Sequence, residues 1–114
     1  MVSRFVIGGL AFLALAAGGA GYFVYEDVKA TDAAIATELD FLTTRQRFMD
    51  ADILDGQTDL HYYEPVMEQG PRLIAAIREA HPIGSLIRAT GIRRLEDGYA
   101  AMRLNYETYN ESQD

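Results

Sequence analysis

A chain of 114 residues with no cysteine has room for one small domain, and it can form neither disulfides nor thiolate metal sites. The 17 acidic residues outnumber the 10 Lys and Arg, giving a formal charge of −7, which opposes nucleic acid as a partner because neutralising phosphates takes a cationic face.

The apolar residues are unevenly spread. Phe5 to Tyr25 is a run of 21 residues without a charge, bounded by Arg4 and by Glu26-Asp27. As a helix it would reach about 31 Å, close to the roughly 30 Å of a bilayer's hydrocarbon. The run predicts a transmembrane helix or uncleaved signal anchor at residues 5–25, with residues 1–4 in the cytoplasm beside Arg4 and the aromatics Tyr22, Phe23 and Tyr25 at the far interface. A cleaved secretory signal ending near Gly18-Gly19-Ala20 is the competing reading. Either one places residues 26–114 outside the cytoplasm. Within the run, Ala14 and Gly18, and Ala17 and Gly21, stand four residues apart, the spacing that lets two membrane helices approach closely. Nine arginines to one lysine, with abundant Ala and Gly, have a bacterial cast, so the expected location is an inner membrane with a periplasmic C-terminal region.

Residues 26–55 read as a stalk helix. Val28, Ile35, Leu42 and Met49 recur every seven residues with Leu39 and Ile53 beside them, and Phe41 and Phe48 widen the stripe beyond a paired-coil seam. Asp55-Gly56 supplies the stop. Residues 26–59 carry nine acids and three bases, a net −6. The acids around Asp50, Asp52, Asp55 and Asp59 superficially suit calcium. The spacing fails, because a loop counted from Asp50 puts Asp55 where the turn glycine belongs and His61 where the bidentate Glu belongs.

Residues 56–114 are expected to form a small α+β region packed on the stalk. From 58 to 79 two short helices are predicted, separated by Gly70-Pro71, with Asp59 or a position near Glu64 starting the first and His81-Pro82 closing the second. Two patterns compete at the C-terminus. Ile92, Leu95, Tyr99, Met102, Tyr106 and Tyr109 alternate at three and four residues, a helical seam, whereas Asp97-Gly98 is a strong hairpin signal. A type I′ turn there pairs Leu95 with Ala100, Gly91 with Leu104 and Ala89 with Tyr106, placing Leu104 inward and setting Arg88 opposite Glu107. Gly98 inside a helix would cost about 1 kcal/mol, so the expected C-terminal element is a β-hairpin.

Candidates for chemistry are sparse: Ser85, Ser112, His61 and His81 fit no nucleophile, base or metal spacing, so no catalytic site, metal or cofactor is expected. Residues 72–103 hold six arginines against three acids. On the hairpin's polar face Arg88, Arg94 and Arg103, with Glu107, form a candidate interaction face. The sequence thus points to a single-pass membrane-anchored accessory or scaffold protein without catalysis, bound to the membrane and to another envelope protein or to its own copies. The alternative is a soluble exported protein that takes a small anionic ligand on the arginine face.

Overall fold

The structure, a computed structural model, describes the backbone of residues 2–113 and the side chains of residues 19–113. Helix α1 spans Val2–Leu54, a single 3-10 turn covers His61–Tyr63, α2 spans Glu64–Ala80, α3 spans Pro82–Ile87 and α4 spans Ala89–Gln113. A 53-residue helix is about 80 Å long, so α1 alone accounts for the longest dimension of a molecule measuring 83 × 19 × 17 Å. The radius of gyration, 22.1 Å, greatly exceeds the about 13 Å of a compact chain this size.

Beyond Asp27, α1 is the first helix of a bundle. Its residues Thr31, Ile35, Leu42 and Met49 are buried. The chain turns at Gly56, whose φ of 78° suits a residue without a Cβ, and α2 runs back antiparallel, so that Tyr63 meets Asp52 at one end and His81 meets Asp27 at the other. Helix α4 then runs parallel to α1 and ties Asn105 to Asp50. Leu60 and Tyr63 of the connection, Met67, Ile74 and Ile77 of α2, and Ile92, Leu95, Tyr99, Met102 and Tyr106 of α4 complete the core. The hydroxyl of buried Thr31 is satisfied by the backbone oxygen of Asp27 at 2.6 Å.

Three glycines set how closely the helices approach. Gly84, Gly91 and Gly98 recur every seven residues, and each faces α1. A Cβ at Gly84 would overlap Thr31 Oγ1, one at Gly91 would stand 3.0 Å from Ile35, and one at Gly98 would stand 2.5 Å from Leu42. A fourth, Gly70 on α2, lies against the ring of Tyr99.

The α+β expectation with a C-terminal hairpin is overturned. Among the described residues there is no strand, and residues 89–113 are one helix. Gly98 serves as the point where α4 meets Leu42, with its carbonyl accepting from Gln46 Nε2 at 3.0 Å, and does not serve as a turn residue. Burial of the five-residue seam from Ile92 to Tyr106 outweighs the about 1 kcal/mol cost of a helical glycine. Leu104, inward in the hairpin register, is 66% exposed. The expected break at Gly70-Pro71 is also absent, for α2 continues through Pro71. Met67 and Ile74, buried on either side of the proline, hold the helix on course despite one lost backbone hydrogen bond.

The membrane reading is corrected as well. Among the described residues no helix is long and apolar enough to cross a membrane. After Gly19, α1 meets Glu26, Asp27, Lys29 and Asp32 in quick succession, and each such charge costs about 2.5–3.5 kcal/mol at the centre of a bilayer helix. That overturns the expected transmembrane span, signal anchor and inner-membrane location. Residues 5–18 of the expected span, including Ala14, Ala17 and Gly18, lie outside the residues whose side chains are described. Gly21 is exposed, with nothing near the position of a Cβ.

Candidate interaction surface

Polar contacts gather at the two ends of the bundle. Where α2 gives way to α3, the Asp27 carboxylate accepts the backbone N–H of Gly84 at 2.6 Å and lies 3.0 Å from His81 Nδ1. The Gly84 N–H, followed by the His81 ring, holds Asp27 below the usual carboxylate range despite partial burial. An acid on α1 thus caps α3 from across the bundle. Arg88, between α3 and α4, bonds Asp32 of α1 at 2.7 Å.

At the opposite end, Asp52 accepts the hydroxyls of Tyr62 and Tyr63, the latter at 2.6 Å, and these bonds depress its pKa. Glu64 accepts the Tyr106 hydroxyl at 2.6 Å and stands 3.0 Å from His61 Nδ1. Tyr106, then His61, lowers the pKa of Glu64; Glu64, then Asp59, raises that of His61. A histidine paired with a carboxylate can move protons. Here the ring is 74% exposed, and the nearby hydroxyls donate to carboxylates, so the arrangement ties the loop after α1 to α2 and α4. No set of three or more His, Cys, Asp or Glu among the described residues could hold a metal ion.

The arginine face anticipated from the hairpin is dispersed by the helix. Arg94 and Arg103, nine residues apart on α4, point in directions about 180° from each other. Arg88 is engaged with Asp32, and Arg103 lies 4.0 Å from Glu107 one turn along its own helix. Arg88 and Glu107, expected opposite each other across two strands, are separated by 19 residues of helical chain, about 28 Å.

Sequence reasoning missed two features. The first is an apolar surface where α1 leaves the bundle. Tyr22, Phe23 and Tyr25 of α1 are 62–73% exposed, and Ile83, Leu86 and Ile87 of α3 are 48–79% exposed. Phe23 stands one helical turn before Asp27, the residue that receives α3, so the two sets lie at the same end of the bundle. The aromatics were visible in the sequence as interfacial anchors. The α3 residues gave no signal, because a six-residue helix is too short to show a period. The second feature is a groove of about 380 Å³ between α1 and α2, lined by Ala33, Ala34, Thr37 and Glu38 on one side and by Leu73 and Ala76 among others on the other.

Comparison with protein-family models, with curated proteins and with solved structures returns no match.

Proposed function

We propose that this chain is a non-catalytic accessory or scaffold protein that binds another protein at the end of the bundle where Tyr22, Phe23 and Tyr25 of α1 and Ile83, Leu86 and Ile87 of α3 are exposed. The observation that carries the reading is the exposure of these six large side chains together at one end of the bundle. Apolar residues scattered singly over a surface are ordinary, whereas a group of them marks a contact site. The surrounding polar groups, Asp27, Asp32 and Arg88, are held by partners within the chain and supply a rigid rim.

Full burial of Leu86 in a complex is worth about 2 kcal/mol, roughly thirtyfold in Kd. The test is co-purification from the native cell with Phe23→Asp, Leu86→Asp and, as a control, Leu104→Asp, since Leu104 is similarly exposed but isolated on α4. A partner retained by the wild type and by Leu104→Asp but lost from the other two variants supports the proposal. Recovery indifferent to Phe23 and Leu86, or no stable partner at all, refutes it.

A further inference from the structure

The three long helices do not surround one another evenly. Helix α4 packs closely on both α1 and α2, while α1 and α2 scarcely approach each other and leave the alanine-lined groove between them. No residue of α3 or α4 lines that groove, so the face between α1 and α2 is left uncovered by the described helices. Ala33 and Ala34 on α1 and Ala76 and Ala80 on α2 line the opening, and side chains this small let another helix seat closely and place its own larger residues between them.

The groove also has a charge preference. Glu38 lines it and takes part in none of the ion pairs among the described residues. Asp40 is exposed nearby on α1, within a segment of net charge −6. A carboxylate without an ion-pair partner among the described residues, on a groove lined mostly by apolar side chains, is complementary to a cation carried beside an apolar stripe.

We infer that the α1–α2 groove is the seat for an amphipathic helix of a partner protein, one that lays large apolar residues between Ala33, Ala34 and Ala76 and brings a Lys or Arg to Glu38. This inference deepens the interaction reading above by adding a second contact surface and the chemistry of what it binds. The groove is separate from the α1–α3 apolar surface, so either can fail alone.

The test uses the full chain and two labelled 21-residue helical peptides with the same leucine stripe, one flanked by lysines and the other by glutamates, with binding followed by fluorescence anisotropy. The lysine peptide is expected to bind at least tenfold more tightly than the glutamate peptide. Ala33→Arg, which fills the groove from an exposed helical position, should weaken it by tenfold or more, and Glu38→Gln by severalfold with a reduced salt dependence. Leu86→Asp should leave peptide binding unchanged. Failure of both peptides to bind, or equal binding by both, overturns the inference, as does binding indifferent to Ala33→Arg. Self-association of the chain that Ala33→Arg abolishes would assign the groove to a second copy and overturn it too. If the groove fails in any of these ways while co-purification still depends on Phe23 and Leu86, the proposed function stands without it.

Discussion

Ile92 and Leu104 exchange places between the helix that forms and the hairpin that Asp97-Gly98 suggests, so truncating each of them in turn tests the packing of α4. Ile92 is 2% exposed and Leu104 is 66% exposed. Removing the Ile92 side chain beyond Cβ forfeits its transfer free energy and opens a cavity in the core, a loss of about 3 kcal/mol within the usual range of roughly 2–5 for such truncations. Leu104 has about one third of its surface covered, so Leu104→Ala forfeits about 0.7 kcal/mol, part of which the better helix propensity of Ala returns. A helical domain of this size has a total stability of roughly 5–15 kcal/mol, so the two losses are easily separated. Urea unfolding followed by circular dichroism is the assay. At a slope near 1.5 kcal/mol/M, Ile92→Ala should lower the midpoint by about 2 M and Leu104→Ala by less than about 0.5 M. The reverse order, with Leu104→Ala the more damaging, would falsify the helix.

Four further outcomes follow from the contacts. Gly84→Ala forces a Cβ against Thr31 and the backbone of Asp27, so it should destabilise by about 1–3 kcal/mol and speed hydrogen exchange at the α3 amides ahead of those of α4. Tyr99→Phe removes a buried hydroxyl without a partner and is expected to leave stability unchanged or raise it by up to about 1 kcal/mol, read from the same urea curves. The folded-state pKa of Asp27 is depressed, so its stabilisation is present above the ordinary carboxylate pKa and is lost as pH falls through the lower folded value; Asp27→Asn should flatten acid unfolding in that window. The folded-state pKa of His61 is raised instead, so its contribution is fully present below the unfolded value of 6.5 and fades as pH rises through the folded one. An NMR titration should place the His61 midpoint above 6.5 in the wild type and closer to 6.5 in Glu64→Gln, and an unmoved midpoint would remove the Glu64 pair from the account.

The parts of the fold legible in the sequence are those with a long, regular period. Ile35, Leu42 and Met49 announce the α1 seam, and Asp55-Gly56 marks the turn after it, because a left-handed glycine is a local requirement. The seam of α4 was equally plain from Ile92 to Tyr106. Gly98 outweighs it locally, because glycine beside Asp97 reads as a turn residue, whereas in the fold it answers a contact with another helix. The sevenfold recurrence of Gly84, Gly91 and Gly98 held that information, but it becomes readable only once α1 is known to lie across it. Pro71 misled in the same way, since its cost is local and the burial of Met67 and Ile74 that offsets it depends on α4 and Tyr99. Of the candidate surfaces, the aromatics at Tyr22 to Tyr25 were legible as a cluster. The α3 leucine and isoleucines were not, and the α1–α2 groove could not be, because an opening between two helices is a property of how three pack together. The arginine face depended wholly on strand alternation and disappeared with it.

The central functional claim is that the end of the bundle where α1 meets α3 receives another protein. Site-specific photocrosslinking in the native cell tests it most directly, with a benzophenone side chain placed in turn at Tyr22, Leu86 and Leu104. Adducts of one defined partner at Tyr22 and Leu86, and none at the similarly exposed Leu104, are the expected result. Adducts at Leu104 as abundant as those at Leu86, or none at either patch position, would contradict it.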